Sequence, residues 1–151
     1  MKRLLIVYHT QSGSTGQLAH AVQAGAAEEG SCELRLLRAI EASASDLRLA
    51  DGVAFCTPEN FGYVSGGMKD FLDRTYYAVA AEQLNLAYAL VVSAGNDGSG
   101  AVRQMQRILR GYPMREVSEP LVVRGLPQEQ DLQRARELGA ALSAGLALGI
   151  F

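Results

Sequence analysis

A short run of hydroxyl side chains and glycines near the start of the chain has the chemistry of a phosphate site. Residues 9–16 read HTQSGSTG and contain no Lys or Arg. They follow the apolar run LLIVY and precede a helical pattern, so they lie where a strand passes into a helix. The first turn of a helix offers unpaired backbone N–H groups and the positive end of the helix dipole, both of which attract an anion. Gly13 and Gly16 allow the backbone to approach that anion closely. The hydroxyl donors are Thr10, Ser12, Ser14 and Thr15.

Other phosphate-binding motifs do not match this segment, although a plain helix cap does. A P-loop needs Gly-Lys-Ser/Thr and a dinucleotide-binding loop needs G-x-G-x-x-G, and neither is present here. A phosphate-accepting receiver domain would need acidic residues at 9–10 and 57–58, where this chain has His-Thr and Thr-Pro. The alternative is that STGQ, residues 14–17, is only a Ser-x-x-Gln capping box. From this segment alone, a phosphate site and a helix cap are both open.

Two further polar segments that contain glycine favour the phosphate site. Residues 57–74 read TPENFGYVSGGMKDFLDR, and residues 93–101 read SAGNDGSGA. Each of them follows a predicted strand. In a parallel sheet the carboxyl ends of neighbouring strands meet at one edge, and ligands bind there. The sequence therefore predicts one site that is built from three loops.

The elements that would position these loops alternate between strand and helix. The candidate strands are residues 3–8, 32–38, 52–57, 86–94 and 113–125, and the candidate helices are residues 15–29, 65–80, 99–110 and a last one from about residue 128. Three strands are solid apolar runs, which is typical of strands buried on both faces. The 32–38 strand alternates and the 113–125 strand contains Pro120, as edge strands do. This pattern predicts an α/β fold with a doubly wound parallel five-stranded sheet of order 2-1-3-4-5, in a single domain over residues 1–151.

The composition is that of an ordinary globular protein. Of the 151 residues, 48% are apolar and 20% are charged, and the net charge of −2 gives no footprint for nucleic acid. Cys32 and Cys56 lie in apolar runs without a CxxC or Cys/His cluster, so we expect free buried thiols and no metal site. We expect no secretion signal at the start and no membrane insertion, because the apolar tail 138–151 is too short to span a bilayer. The expected location is the cytoplasm.

Two of the three loops resemble those of a known family. Residues 10–15 match the flavodoxin phosphate loop, hydroxyl-x-hydroxyl-Gly-x-Thr. Residues 58–74, with Phe61-Gly62 and the MKDFLDR stretch, resemble the second flavin loop of NAD(P)H-dependent FMN reductases and NAD(P)H:quinone oxidoreductases. The resemblance spans nearly the whole chain. It implies a flavodoxin-like three-layer fold and one bound FMN.

The resemblance also implies which residues hold the flavin. The phosphate would bind the first loop, the isoalloxazine ring would lie along the second with Phe61 at its edge, and the third would border its pyrimidine side. The expected FMN-binding residues are Thr10, Ser12, Gly13, Ser14, Thr15, Thr57, Pro58, Glu59, Asn60, Phe61, Gly62, Tyr63, Ser93, Ala94, Gly95, Asp97, Gly98 and Gly100. No catalytic side chain is expected, because the flavin ring carries the redox chemistry. Glu59 and Asn60 depart from the Thr-Arg or Thr-Tyr pair common in the quinone oxidoreductases, which puts a substrate contact there in doubt.

Two features favour a reductase over an electron carrier. Residues 93–101 contain no aromatic residue of the kind that covers the outer flavin face in electron-carrying flavodoxins, and the charge of −2 is small for such a carrier. An uncovered face leaves room for a nicotinamide or a quinone. The sequence thus predicts NAD(P)H-dependent reduction of a small-molecule acceptor. A flavodoxin-like carrier with a protein partner is the alternative, and a regulatory or inactive flavin-binding module is a third possibility. The apolar tail Leu138–Phe151 also predicts a homodimer or tetramer, formed through the last helix or the 65–80 helix.

Overall fold

Strands and helices alternate along the chain as expected. The computed structural model describes residues 1–151. The strands are β1 (Lys2–Tyr8), β2 (Cys32–Arg38), β3 (Gly52–Asn60), β4 (Tyr63–Val64), β5 (Ala87–Ala94), β6 (Arg115–Glu116) and β7 (Leu121–Arg124). The helices are α1 (Ser14–Glu29), α2 (Ala44–Leu49), α3 (Gly66–Val79), α4 (Ser99–Gly111) and α5 (Glu129–Leu148), with a 3₁₀ turn at Ala80–Glu82.

The strands form one parallel sheet in the predicted order. The sequence of neighbours is β2-β1-β3-β5-β6, with β7 also beside β5, and only the short β4 is antiparallel, to β3. Every residue of β5 is buried, whereas β2 alternates at the edge. The predicted α/β fold class is therefore confirmed. The prediction succeeded because solid apolar runs mark central strands and alternating runs mark edge strands.

Two details of the topology differ from the prediction. The outer strand over residues 113–125 is broken into β6, which pairs with the start of β5 at Ala87, and β7, which pairs with its end at Ala94. Pro120, which has no backbone N–H, lies in the break. The second difference is the six-residue helix α2, which no periodicity in the sequence indicated.

Helices cover both faces of the sheet, and each central strand contributes to two cores. Leu5 and Val7 of β1 pack in the core under α2, α3 and α4. Leu4 and Ile6 face the opposite core under α1 and α5. Because successive side chains of a strand point to opposite faces, one apolar strand supplies both layers. This arrangement fixes the carboxyl ends of β1, β3 and β5 side by side.

The last helix packs closely against α1. A Cβ on Gly139 would lie 1.9 Å from the carbonyl oxygen of Val22, so the two helices touch through backbone there. Leu142 and Leu146 of α5 are buried, while Leu148 and Ile150 are exposed. Packing within the chain thus explains much of the apolar character of the tail, and an oligomer stays a prediction.

The structure also describes the two cysteines, the grouping of metal-ligating side chains and the apolar character of the helices. Cys32 and Cys56 are buried free thiols. No three His, Cys, Asp or Glu side chains are grouped so that they could hold a metal ion. None of the helices combines the length and the apolar character that crossing a membrane requires.

Candidate functional site

The first loop joins β1 to α1 and leaves several donors free. The first intrahelical hydrogen bond of α1 runs from Gln17 N to Gly13 O, 3.0 Å, so the amides of residues 14–16 precede the helical ladder. The first turn contains no acidic residue that would compete for them. Ser14 and Thr15 are 8% and 1% exposed, and neither hydroxyl is bonded within the chain. The loop therefore presents amide and hydroxyl groups that can donate hydrogen bonds to an anion.

The capping-box alternative does not fit the structure. The N-cap of α1 is Gly13, in the left-handed region at φ 100°, and no side chain caps the helix. Thr10 Oγ1 instead accepts a hydrogen bond from Gly13 N at 3.1 Å, which closes the loop on itself. No atom lies within 4 Å of the position where a Cβ of Gly13 would be, so the backbone is open on that side. An open, cation-free cradle at a helix N-terminus has the chemistry of a phosphate monoester site.

The second loop is a β-hairpin, not the open loop expected from the sequence. Strand β3 continues through Asn60, which pairs with Tyr63, so Phe61 and Gly62 form a two-residue turn. Both turn residues have positive φ, 53° and 72°. A bulky residue in the left-handed region is an outlier that its surroundings must enforce, and such outliers cluster at functional sites. The Phe61 side chain is fully exposed at the tip, and that of Tyr63 is 60% exposed.

The hairpin is hydrogen-bonded to both other loops. Asn60 Nδ2 donates to Gln11 Oε1 of the first loop. Glu59 Oε2 accepts from Ala101 N at 3.1 Å, and Gln104 Oε1 accepts from Val64 N at 3.0 Å, both in α4 after the third loop. The hairpin thus links the first loop to the start of α4. Two of these hydrogen bonds are made by Glu59 and Asn60, the positions that depart from the quinone oxidoreductase pattern.

The third loop joins β5 to α4 and remains open. Gly95 and Asp97 are exposed, and Gly98, at φ 73°, is the N-cap of α4. Asp97 Oδ1 accepts from Ser99 N at 3.0 Å and from Ser99 Oγ at 2.9 Å. These two bonds hold the pKa of Asp97 below its usual 3.8, so its carboxylate stays charged and points at its own helix. No aromatic side chain stands in this loop.

A hydrogen-bonded chain lies behind the first two loops. His9 Nδ1 is 2.8 Å from Ser65 Oγ, and Thr57 Oγ1 donates to the same oxygen at 3.1 Å. Burial lowers the pKa of His9 below its ordinary 6.5. Burial also raises the pKa of the nearby Cys56 thiol to about 12. The Cys56 thiol therefore stays protonated and unreactive, whereas the lowered pKa of His9 favours its neutral imidazole.

The structure gathers the expected binding residues at one edge of the sheet, with differences in exposure. Thr57, Ser93 and Ala94 are buried strand ends, so they support the loops from below. The others lie in the loops or the hairpin. Sequence reasoning missed Gln11, Ser65 and Gln104, which position loops. Gln11 sits inside the quoted motif and could have been found, but nothing local marks Gln104, since its partner is forty residues away. The assignment of these residues to FMN stays a prediction.

Three loops at the carboxyl edge of a parallel sheet of this strand order lie where flavodoxin-like folds bind their ligands. The model of a family described as NADPH-dependent FMN reductase matches residues 38–126. The chain belongs to this family, and with it to a group of flavin oxidoreductases. The matched segment contains the second and third loops.

Individual relatives agree with this membership. A flavodoxin of Aquifex aeolicus is 30% identical over 98% of this chain and 89% of its own length. An NAD(P)H dehydrogenase (quinone) of Archaeoglobus fulgidus is 25% identical over 97% of this chain and 87% of its own length. A solved flavodoxin from the domain Archaea superposes with a TM-score of 0.82 at 20% identity, over 95% of this chain and 98% of that one. The last likeness concerns the fold alone.

Proposed function

We propose that this protein binds one FMN and uses it to pass electrons from NAD(P)H to a flavin or quinone-type small molecule. The observation that carries the proposal is the combination of a cation-free phosphate cradle with a third loop that leaves the ring face open. The family membership supports FMN as the cofactor, and the family description supports a nicotinamide donor.

The residues present fit FMN in their donor chemistry. Amides of residues 14–16 and the hydroxyls of Ser12 and Thr15 would bind the phosphate, whose negative charge the α1 dipole favours. The rigid hairpin would lie along the ring, with Phe61 and Tyr63 as aromatic neighbours. Bound FMN supplies hydride and one-electron chemistry that no side chain here supplies. The protein's own part is therefore to bind, orient and leave one face accessible.

The open face favours a reductase because hydride transfer requires the nicotinamide to stack against the ring. In this chain residues 93–101 contain no aromatic side chain that could stack there instead. The nearest exposed aromatic residues along the chain, Phe61 and Tyr63, belong to the hairpin and not to the third loop. An acceptor would use the same face after the donor has left, so donor and acceptor would compete.

The second candidate is an electron carrier that exchanges electrons with a protein. The observation that favours it is the relative from Aquifex aeolicus, named a flavodoxin, which aligns with nearly the whole chain. A carrier would bind FMN equally well but would not accept hydride quickly from a free nicotinamide nucleotide.

Anaerobic mixing of the FMN-loaded protein with NADPH, and separately with NADH, distinguishes the two. We expect the flavin absorbance band to bleach on the timescale of turnover with at least one donor. Bound FMN that neither donor bleaches would refute the reductase and favour the carrier. A chain that binds no FMN would refute both proposals.

A further inference from the structure

Positive charge is concentrated on one exposed helix face that begins near the third loop. Residues 98–124 contain five Arg and two Glu, a net charge of +3, although the whole chain is at −2 and the remaining residues are therefore at −5. Arg103, Arg107 and Arg110 are exposed on α4, and their spacing of four and three residues places them on one side of the helix. We call these three residues the basic stripe. At a rise of about 1.5 Å per residue the stripe is about 10 Å long, so an otherwise acidic protein carries a compact basic patch.

The arginines of this segment have no partner within the chain. Eight ion pairs use eight of the 14 Lys and Arg side chains, and the six arginines left over are the five in residues 98–124 and Arg134 on α5. The side-chain hydrogen bonds that arginines donate all come from other positions. Glu116, which is close to α4, accepts instead from Gln106 Nε2 at 3.0 Å. The basic stripe therefore keeps its charge and its hydrogen-bond donors for a group from outside the chain.

The basic stripe runs along the whole of α4, beginning beside the third loop. Arg103 lies one turn into the helix, which starts directly after that loop, and Arg110 lies in its last turn. The charges of Arg103 and Arg124 also reach the loop itself. Hydrogen bonds from Ser99 are the main cause that lowers the pKa of Asp97, and these two arginines lower it further. A molecule bound to the stripe would therefore lie next to the third loop.

A groove between α3 and α4 runs beside the basic stripe. It has a volume of about 520 Å³, and Ile108 of α4 and Tyr63 of the hairpin contribute apolar surface to it. Arg107 belongs to both the stripe and the groove, and Lys69 lines the groove from α3. The Lys69 ammonium pairs with Asp73 at 2.8 Å, but both partners are exposed, so this pair is weak and easily exchanged. The groove therefore combines apolar surface with a cation from each helix.

This combination fits a segment of a protein better than it fits other polyanions. Arg and Tyr are enriched where proteins bind one another, and Arg pairs with carboxylates in a bidentate geometry. A nucleic acid or an anionic membrane would extend beyond a stripe of about 10 Å, onto a surface whose net charge is −5. A short acidic segment can pair with the arginines without crossing that surface.

We propose that the basic stripe and the groove beside it form a docking surface for an acidic segment of a partner protein. Carboxylates of that segment pair with Arg103, Arg107 and Arg110, and one of its apolar side chains occupies the groove between α3 and α4. This docking surface goes beyond the proposed function, and it does not depend on which molecule donates electrons to the flavin or accepts them.

The test measures binding of short labelled peptides to the full-length protein in the presence of FMN. The probe is EELEELEE, and it is compared with EESEESEE, which lacks leucine, and with KKLKKLKK, which has the opposite charge. In fluorescence anisotropy we expect EELEELEE to bind about tenfold or more tightly than KKLKKLKK. It should bind about fivefold more tightly than EESEESEE, because a leucine is partly buried in the groove. Raising the salt concentration from about 50 mM to about 300 mM should weaken this binding, since exposed charges are screened.

Two triple variants of equal charge test the stripe itself. The stripe variant combines Arg103→Gln, Arg107→Gln and Arg110→Gln, and each exposed ion pair it removes contributes a factor of about 1.5 to 5. Its affinity for EELEELEE should therefore fall about tenfold or more. The matched control changes three exposed cations elsewhere, in Lys2→Gln, Arg38→Gln and Arg134→Gln. Each variant loses three positive charges and has a net charge of −5 instead of −2, yet the control should keep its affinity within about twofold.

Several outcomes would overturn the docking surface. Equal affinity for EELEELEE in the two triple variants would do so, as would equal binding of EELEELEE and KKLKKLKK. An oligothymidylate of the same length that binds as tightly as EELEELEE would refute a protein partner and indicate a site for polyanions in general. Self-association that only the stripe variant loses, without binding of the peptide, would assign the surface to a second copy of this chain. Peptide binding needs neither a nicotinamide donor nor turnover, so its failure is distinguishable from failure of the proposed function.

Discussion

Gly100 is the point at which the hairpin and α4 touch through backbone. A Cβ at this position would lie 1.8 Å from the carbonyl oxygen of Gly62, whereas real Cβ contacts are essentially never under 3.0 Å. In Gly100→Ala the hairpin tip and the helix must therefore separate by at least 1.2 Å. That displacement pulls on the two hydrogen bonds between the hairpin and α4, which Ala101 N donates to Glu59 and Val64 N donates to Gln104. We expect a loss of about 1–3 kcal/mol in the free energy of unfolding, as for other overpacked sites.

The same displacement should weaken the flavin site, because the hairpin carries Phe61 and Tyr63. We expect FMN to bind Gly100→Ala about tenfold more weakly, or about 1.4 kcal/mol. Urea unfolding of the FMN-free chain gives the first quantity, and titration of FMN fluorescence gives the second. Both are measured on the same variant, so stability and affinity can be compared directly.

Gly66→Ala is the matched control for Gly100→Ala. Gly66 also lies in the first turn of a helix, and no atom is within 4 Å of its Cβ position. It therefore reports the effect of adding a methyl group to a helix without a collision, which is neutral or stabilising by up to about 1 kcal/mol. If Gly100→Ala matched Gly66→Ala in both stability and FMN affinity, the hairpin would not be braced by this contact and the reasoning would be wrong.

Three other perturbations test separate parts of the molecule. Thr15→Val keeps the shape of a buried side chain but removes its hydroxyl. FMN should then bind about tenfold more weakly, while the free energy of unfolding in urea changes little. Unchanged FMN affinity would exclude this hydroxyl from the phosphate site. Gly139→Ala places a Cβ 1.9 Å from Val22 O and should lower the free energy of unfolding by about 1–3 kcal/mol. FMN affinity should stay unchanged. A comparable loss in FMN affinity would contradict a purely structural contact. Burial lowers the pKa of His9 below 6.5, so the unfolded chain takes up a proton first as the pH falls. Stability is then complete above about pH 6.5 and declines below it. His9→Asn should show a flatter dependence between about pH 7 and 5.5 in urea titrations, and an identical slope would exclude His9 as the cause.

The sheet could be predicted because each strand is marked by a pattern within its own short stretch of sequence. Solid apolar runs mark β1, β3 and β5 as central, and alternation marks β2 as an edge, without knowledge of any partner. The loops were predictable in position for the same reason, since each follows such a run. Helix α2 was missed because it is only six residues long, too short for a helical period to show.

The connections within the site were not predictable, because they join distant parts of the chain. Asn60 meets Gln11 across 49 positions, and Glu59 meets the Ala101 amide across 42. The hairpin itself was missed because its turn has Phe where Asn or Asp is usual before Gly, so no turn signal stands at residues 61–62. Hydrogen bonds to distant parts of the chain, and not a local sequence preference, stabilise that turn.

The broken outer strand has a consequence for how the protein behaves at high concentration. Beyond β5 the sheet ends in pieces of two and four residues, with Pro120 between them, so this side offers no continuous row of N–H and C=O groups. On the other side, β2 exposes the charged residues Glu33, Arg35 and Arg38. Short edge strands, proline and charge all hinder the addition of a strand from another molecule. The sheet is therefore protected at both ends against edge-to-edge aggregation, and growth of intermolecular β-structure should require unfolding first.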